Sequence, residues 1–407
     1  MFKEYTGIEY LAIDVANAKG LDKKEFETRI QWVKDNQHQL MDLVNQADEP
    51  ILYTKAVNHF HKALKGLPTG HTVALDAVCS GLQLMSVMTG CKSGCEITGL
   101  IDPNKRVDAY TEVTKYMNEL LGDEAVEVDR KDAKASIMTS LYGSKAKPIE
   151  IFGEDTHQLE AFYQALEDKC EGAYTLLNEL IDAWDRSKTF NHWVLPDGYN
   201  VYIPVMQSIT DRVKIEELDY TMSVQTHVNK PLDYSVSLAA NAVHSVDAYV
   251  LRSLVRRCNY SPKQVNNAIQ VIEEALFNET SIENIPEEVI MTIHLYLKTG
   301  LADIVCIKDI NNIVDYLPFS MKQKLLVTLK EVIKYPPFEV ITIHDSFAVL
   351  PNNCNRLRYW YKEILAELAE SNILEHLLSQ IMVEDIKYNK LDNNLAPLIR
   401  NSNYGLC

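Results

Sequence analysis

Three short segments of the chain combine residue types that together could transfer a nucleotide. In chain order they contribute Asp76, then Arg130 and Lys134, then His344 and Asp345. Phosphoryl transfer depends mainly on positioning and on neutralising the charge of the phosphates. Two divalent ions roughly 4 Å apart can activate an attacking hydroxyl and stabilise a leaving oxygen, and Mg²⁺ binds carboxylate oxygens. If the segments meet in the fold, they hold the parts of a two-metal site.

Both aspartates follow runs that are typical of strands. The residues at 72–75 before Asp76 and at 338–343 before Asp345 are rich in β-branched side chains and then give way to polar residues. A carboxylate at the end of a strand is held rigidly and faces open space. Taken alone, an aspartate after a strand is more often a helix cap or a turn residue. The prediction of a metal site therefore depends on the three segments occurring together.

A basic stripe precedes a glycine in the middle segment. Arg130, Lys134, Met138 and Tyr142 recur at every fourth residue, which predicts one face of a helix of about four turns that Gly143 ends or bends. Two cations and an aromatic hydroxyl on one face suit a triphosphate and a sugar. The alternative is a solvated basic edge, which is the usual explanation of a Lys–Arg pair.

The order of these motifs resembles motifs A, B and C of the single-subunit RNA polymerases of phages and mitochondria. The matching elements are Asp-x-x-Cys-Ser-Gly-x-Gln at 76–83, Arg-x-x-x-Lys with Met-Thr and Tyr-Gly-Ser-Lys at 130–145, and His-Asp-Ser-Phe at 344–347. The stretches at 192–198 and 241–247 are similar to the same family. The resemblance implies RNA synthesis on a DNA template, and it is greatest to the larger, catalytic subunit of a two-subunit phage RNA polymerase.

The resemblance also implies a fold. We expect an α+β, mostly helical chain that forms a right-hand polymerase palm and fingers with a small antiparallel palm sheet. The expected regions are helices leading into the palm with motif A at 1–100, fingers with the motif B helix and β-hairpins at 101–230, a palm helix at 231–257, a helical insertion at 258–335, and the palm with motif C and C-terminal helices at 336–407.

Periodicity adds local detail to this plan. It predicts helices at 24–44, 57–64 and 102–121, and hairpins within 193–228 that include a turn at Pro196-Asp197-Gly198. By resemblance, the hairpin within 206–228 is a candidate for DNA contact, although a solvated hairpin explains it equally well. The insertion carries helical periodicity without a ligand cluster, so we assign it to packing or to partner binding.

The resemblance assigns roles to the charged residues of the three motifs. Asp76 and Asp345 would bind two Mg²⁺ ions, and the Ala77 carbonyl would assist. Arg130 and Lys134 would hold the triphosphate of the substrate. Lys134 would also donate a proton to the leaving pyrophosphate.

Three further residues acquire roles only through the resemblance. Tyr142 would lie beside the nascent base pair and, with His244, would favour a ribose 2′-hydroxyl over deoxyribose. Recognition of a hydroxyl by a buried site discriminates well, because the wrong substrate leaves a polar group unpaired. His344 would flank the metal site near the RNA 3′ end. A lone histidine such as His244 is otherwise more often structural than functional.

The sequence departs from the family in ways that bear on function. The family has a triphosphate-binding lysine where this chain has Ala12, and an Arg-Gly-Arg element that this chain lacks. Motif A has Asp-Ala in place of the common Asp-Gly, and the ending at 403–407 lacks the family's Phe-Ala, which leaves its part in the site in doubt. Because the chain begins at Met1 without the upstream half of a polymerase, we expect a separately encoded subunit that supplies that half and the missing arginine.

The net charge of −17 is unusual for a protein that binds nucleic acid. Such proteins normally present a basic patch to the phosphates, so positive charge must be local here. The candidates are the segment at 130–147 and the cluster of Arg252, Arg256 and Arg257. A DNA template, nucleoside triphosphates and the RNA product are the other expected partners.

Composition indicates a globular protein of the cell interior. The 407 residues, 46% of them hydrophobic, suffice for a large core. We find no leader peptide and no apolar run of membrane-spanning length, so we expect no membrane association and a place in the cytoplasm of an infected host cell. The cysteines are scattered, and the close pair Cys91 and Cys95 has no second pair that would complete a zinc site.

Two other functions remain open. A family A-like DNA polymerase fragment would share the two aspartates and the Arg, Lys and Tyr-Gly residues, but motif A lacks the bulky Glu that blocks a 2′-hydroxyl in those enzymes. A catalytically silent scaffold subunit with the polymerase fold is the second alternative. The intact Asp76, Lys134, Tyr142 and Asp345 disfavour it, and the missing arginine keeps it open.

Overall fold

The computed structural model describes residues 2–122, 127–278, 280 and 285–407. In these ranges the chain is mostly helical, with small antiparallel sheets. Helices are α1 Gly7–Ala16, α2 Phe26–Asn36, α3 Pro50–Leu64, α4 Ser80–Thr89, α5 Lys92–Ile97, α6 Ala109–Leu121, α7 Arg130–Ser140, α8 Ala146–Phe152, α9 His157–Lys169, α10 Glu171–Asp182, α11 Ser237–Cys258, α12 Pro262–Glu274, α13 Glu287–Thr299, α14 Ile310–Ile313, α15 Phe319–Val332, α16 Cys354–Glu370, α17 Ile373–Met382 and α18 Leu395–Asn401. Strands are β1 Val73–Asp76, β2 Phe190–Val194, β3 Asn200–Pro204, β4 Met206–Ile215, β5 Tyr220–Pro231, β6 Ile341–Ile343 and β7 Ser346–Val349.

The central sheet contains three antiparallel strands in the order β1-β7-β6. Val73 pairs with Val349 and Leu75 with Phe347, and all four side chains are buried on one face of the sheet. Asp76, opposite Ser346, lies on the other face because side chains alternate along a strand. The predicted mostly helical fold with a small antiparallel sheet is therefore confirmed, and its division into palm and fingers stays a prediction.

Two hairpins follow the helices of the N-terminal half. Strands β2 and β3 pair around the predicted turn, where Gly198 has φ +78°, and β4 pairs with β5 over a longer, largely exposed ladder. Only a residue without a Cβ adopts such a φ readily, which explains the glycine at this turn. Hairpins were predicted within 193–228, and the strands extend slightly beyond those limits.

The predicted helix boundaries were wrong at several ends. The helix predicted at 24–44 ends at Asn36, and a 3₁₀ helix over Leu40–Gln46 replaces its second half. The helix predicted at 102–121 begins at Ala109, since Asp108 caps it by accepting a hydrogen bond from the Thr111 amide. The helix predicted at 57–64 begins earlier, at Pro50, which suits a first helical position.

Helix α4, which follows β1, lies in the middle of the core. Its residues from Gly81 to Thr89 are all buried. The Gln83 amide donates to the carbonyls of Thr98 and Gly405, at 3.2 and 2.8 Å, and its oxygen accepts from the Tyr361 hydroxyl at 2.7 Å. A buried amide with its hydrogen bonds satisfied fixes the elements around it, so α4 holds α16 and the C-terminal segment in register with β1.

The arginines of the cluster near residue 252 form ion pairs within the protein. Asp197, whose side chain is fully buried, accepts from Arg252 at 2.7 Å and from Arg256 at 2.8 Å, and Arg256 also contacts Asp303. Arg257 is buried against Glu367 at 2.6 Å. The expectation that these arginines offer a basic surface to DNA was wrong, because each already faces a carboxylate. Their contacts instead fasten the β2–β3 turn to α11.

In the described part of the chain, no helix has both the length and the apolar character that a bilayer crossing requires.

We predict that Asp197→Ala lowers the free energy of unfolding by about 3 kcal/mol, because it leaves two arginines without their buried partner. Urea denaturation followed by circular dichroism measures the change. Glu150→Ala, which removes an exposed pair with Lys147, is the matched control and should cost less than about 1 kcal/mol. Equal losses in the two variants would contradict a structural role for the Asp197 cluster.

Candidate active site

Asp76 and Asp345 lie at neighbouring positions of the central sheet. Asp76 ends β1 and is paired in register with Ser346, the residue after Asp345. The Ala77 amide donates to the Asp345 carbonyl at 3.0 Å, which joins the two motifs through their backbones. Residues far apart in sequence therefore meet in space, and the pairing that joins them is part of the sheet itself.

His344 occupies the two-residue turn between β6 and β7. Its φ is +55°, in the left-handed region that histidine enters more often than most residues. The turn is tight because Ile343 pairs directly with Ser346. His344 is exposed as a result, and Asp345 is held next to the end of β1.

A cavity of about 630 Å³ opens at this point of the sheet. Six predicted site residues line it, namely Asp76, Ala77, Arg130, Lys134, His344 and Asp345. Several residues that sequence reasoning missed also line it, among them Cys79, Arg106, Asp108 and Tyr110. The structure thus places the acidic and the basic motifs around one space.

Helix α7 presents the basic motif to this cavity. Arg130, Lys134 and Met138 line the cavity, while Ala133 and Ile137 are buried on the opposite side of the helix. The predicted stripe is therefore present, but the predicted length was wrong, because α7 ends at Ser140 after about three turns.

Tyr142 lies beyond the end of α7 and not on it. The amide of Tyr142 donates to the Thr139 carbonyl, and Gly143, with φ +86°, completes the turn that ends the helix. Tyr142 and His244 do not line the cavity, but their rings are in edge-to-face contact at 4.7 Å. The structure thus brings this predicted pair together.

Arg130 is held by a carboxylate that was not predicted. Asp108 accepts from the Nε and Nη2 atoms of Arg130, at 2.8 and 2.7 Å, and from the amide and hydroxyl of Thr111. Burial raises the pKa of Asp108, but these hydrogen bonds outweigh it and the net pKa is lowered. A helix-capping aspartate was the available signal in the sequence, and it was missed because the helix was predicted to begin at residue 102.

The ring of Tyr110 contacts the charged groups of Arg130 and Lys134, the two α7 cations that line the cavity. Its ring centroid is 5.3 Å from the Lys134 ammonium and 5.8 Å from the Arg130 guanidinium. Cations placed over an aromatic face are attracted to it, which orients the two side chains toward the cavity.

The two aspartates form a donor set that fits divalent cations. In the described ranges neither Asp76 nor Asp345 takes part in an ion pair, although both line the same cavity. The described residues contain no cluster of three or more His, Cys, Asp or Glu side chains suited to a metal. Further ligands would therefore be backbone oxygens such as that of Ala77, phosphate oxygens or water, which is how Mg²⁺ is commonly bound.

A carboxyl group outside the cavity lining interacts with Asp345. Burial and the charge of Asp345 raise the pKa of Asp247 to about 6, while the nearby His344 lowers it. Asp247 is on α11, three residues after His244, and its contribution to the local charge was not anticipated.

The C-terminal segment lies directly against motif A. The amide of Cys407 donates to the Asp76 carbonyl at 3.0 Å, the Asp76 amide donates back at 3.3 Å, and Cys407 lines the cavity. The structure thus places Cys407 at the cavity, and a part for this segment in the reaction stays a prediction. Ala12, by contrast, is buried in the core and does not line the cavity.

Known proteins are similar to parts of this chain. A family model described as DNA-dependent RNA polymerase matches residues 3–150. A probable DNA-directed RNA polymerase of Neurospora crassa is 31% identical over 168 residues, which is 35% of this chain and 18% of that protein. DNA-directed RNA polymerase 1, mitochondrial, of Arabidopsis thaliana is 23% identical over 309 residues, which covers 62% of this chain and 32% of that protein. T7 RNA polymerase of Escherichia phage T7 is 23% identical over 349 residues, which covers 61% of this chain and 38% of that protein.

The chain spans less than two fifths of the length of these relatives. The family match includes Asp76, Arg130, Lys134 and Tyr142, whereas motif C lies beyond it. Both the match and the alignments point to the same class of protein. The chain is therefore similar, over the parts that match, to DNA-directed RNA polymerases of the phage and mitochondrial type.

Proposed function

We propose that the chain carries the catalytic centre for RNA synthesis on a DNA template by two-metal-ion nucleotidyl transfer. The observation that carries the proposal is that Asp76, Asp345, Arg130 and Lys134 line one cavity. Two carboxylates without counter-ions and two cations on a facing helix are the charges that a triphosphate and its metal ions require. The similarity to DNA-directed RNA polymerases supports the same reaction.

Each residue of the cavity has a distinct task in this proposal. Asp76 and Asp345 would hold Mg²⁺, which would supply activation of the RNA 3′-hydroxyl and charge neutralisation at the phosphates. Arg130, fixed by Asp108, and Lys134 bind the triphosphate and orient it in line with the hydroxyl. Lys134 gives a proton to the pyrophosphate that leaves, and it can approach freely because its ammonium has no carboxylate partner among the described residues. His344 flanks the 3′ end.

Sugar selection is assigned to the pair formed by Tyr142 and His244. A Cβ atom added at Gly81 would lie 2.8 Å from the Tyr142 hydroxyl, so motif A approaches this hydroxyl closely. The missing Glu of the DNA polymerases could not be accommodated at position 81 without displacing Tyr142. This close contact favours RNA synthesis over the DNA polymerase alternative.

We infer further that the chain works as the catalytic subunit of a two-subunit enzyme. The chain has no Arg-Gly-Arg element, and its arginines near residue 252 are occupied internally, so it offers little positive charge to a template. A basic partner that contributes an arginine to the site would remedy both deficits. The silent-scaffold alternative lacks such support, since the charges around the cavity are complete except for that arginine.

The first prediction concerns the metal-binding carboxylates. In the complete enzyme, purified with its bound partners, Asp345→Asn should lower the rate of RNA primer extension on a DNA template with Mg²⁺ by roughly 100- to 1,000-fold. Asp35→Asn, on the exposed face of α2, is the control and should extend at the wild-type rate. Normal incorporation by Asp345→Asn would eliminate the metal assignment.

The second prediction concerns the partner subunit. The chain purified alone should extend a primer poorly or not at all, whereas the same chain recovered from its native cell with bound protein should extend it. Gel analysis of a labelled primer measures extension, and mass spectrometry identifies the bound protein. Full activity of the isolated chain would refute the two-subunit proposal without affecting the assignment of the catalytic residues.

The third prediction concerns ribose selection. Tyr142→Phe removes one hydroxyl from the sugar site, and we expect the preference for ribonucleotides over deoxyribonucleotides to fall by roughly tenfold or more, as for the loss of one hydrogen bond. Competition between the two nucleotide classes in primer extension gives the ratio. Tyr116→Phe, which removes an exposed hydroxyl bound to Asp168, is the matched control. An unchanged ratio in Tyr142→Phe would remove the residue from the site.

A further inference from the structure

Arg106 lies just before α6 and lines the same cavity as the aspartates and the α7 cations. It contacts the neighbouring Val107 carbonyl through Nη1. Its Nε atom is buried and has no hydrogen-bond partner among the described residues. A guanidinium group carries donors in a planar fork, so Arg106 retains most of its capacity to bind a planar or tetrahedral anion.

The other cations of the cavity differ from Arg106 in their partners. Arg130 faces Asp108 at 2.7 Å, and Lys23 contacts Asp22. Across the ranges that the structure describes, Lys134 and Arg106 are the lining cations without a carboxylate partner. The unpaired positive charge that a polyphosphate would meet comes from these two side chains, in a lining that also carries the carboxylates of Asp22, Asp48 and Glu49.

The charge of Arg106 is felt by a second arginine, Arg29. Arg29 is buried and donates to the carbonyls of Lys24 and Asp22 and to the Asn17 side chain. Burial lowers the pKa of Arg29, and the positive charge of Arg106 lowers it further. Cys407, which lines the cavity with Arg106, raises the pKa of Arg29 and so opposes this effect.

We propose that Arg106 is a further phosphate-binding residue of this cavity, which contacts the triphosphate of the incoming nucleotide and the pyrophosphate that leaves. Arg106 lies two residues before Asp108, which holds Arg130, so it belongs to the same wall as the triphosphate-binding pair. The turn that carries His344, where the RNA 3′ end is assigned, lines the same cavity. The identity of the ligand rests on the proposed function, whereas the placement of the unpaired charge does not.

The test is Arg106→Gln, which keeps length and polarity but removes the charge. In the complete enzyme we expect the KM for nucleoside triphosphates, and that for pyrophosphate in the reverse reaction, to rise together by roughly tenfold or more, as for the loss of a charge-assisted hydrogen bond. Arg106→Lys should recover part of the loss. Lys105→Gln, which removes an exposed neighbouring charge outside the cavity, is the matched control and should leave both constants unchanged.

Binding without catalysis separates this proposal from the proposed function. Calorimetric titration of the full chain with tripolyphosphate should show weaker binding to Arg106→Gln than to the wild type or Lys105→Gln. This result would support Arg106 even if Asp345→Asn kept full activity and the catalytic proposal failed. Unchanged tripolyphosphate affinity and unchanged KM values in Arg106→Gln would overturn the inference.

The remaining source of phosphate is the nucleic-acid backbone. Fluorescence anisotropy with a labelled primer–template, without nucleotide, measures that contact. If Arg106→Gln weakened primer–template binding and left both KM values unchanged, the residue would serve the nucleic acid and the proposal would be wrong. Matching thermal unfolding of Arg106→Gln and wild type excludes misfolding, and Arg106→Lys provides the comparison if the Gln variant is unstable.

Discussion

The antiparallel pairing of β1 with β7 is the constraint on which the candidate site depends. This ladder is four residues long, and the Ala77 amide extends it by binding the Asp345 carbonyl. A shift of one residue would turn every side chain of β1 to the other face. Asp76 would then enter the core, and Val73 and Leu75 would face solvent. The burial of those two side chains thus determines that Asp76 faces the cavity, so the same packing that stabilises the sheet also positions the carboxylate.

The other edge of this strand is held by the C-terminal segment. Asp76 exchanges backbone hydrogen bonds with Cys407, and the Val78 amide donates to the Gly405 carbonyl. Gln83, buried in α4, accepts a hydrogen bond from Tyr361 and donates one to the Gly405 carbonyl, so the C-terminal segment is also bound to α4. A strand extension bound on both edges has little freedom to move. Such rigidity is what a metal-binding carboxylate requires, since small displacements of reacting groups are costly in catalysis.

Residue patterns in the sequence were sufficient to predict the parts of the site that rest on local structure. The strands before Asp76 and Asp345 and the basic face of α7 follow from periodicity and from β-branched runs. Asp108 and the Asp197 cluster could not be predicted in the same way, because Arg130 is 22 residues from Asp108 and Arg252 is 55 residues from Asp197. Their roles arise from packing between distant elements. The length of α7 was overestimated because a spacing of four residues continues through the turn at Gly143, where the backbone leaves the helical conformation.

The difference between local patterns and long-range contacts also explains why the arginines near residue 252 were wrongly predicted to form a basic surface. A count of arginines near residue 252 suggests a basic surface, yet three of them neutralise Asp197, Asp303 and Glu367 inside the fold. Charge that is already paired contributes little to the potential felt by a phosphate. In a chain with a net charge of −17, the attraction for a polyphosphate must therefore come from the few cations that face a cavity without a partner. Lys134 and Arg106 meet that condition around the two aspartates, in a lining that also carries Asp22, Asp48 and Glu49, so a polyphosphate would be bound there together with the cations that these carboxylates hold.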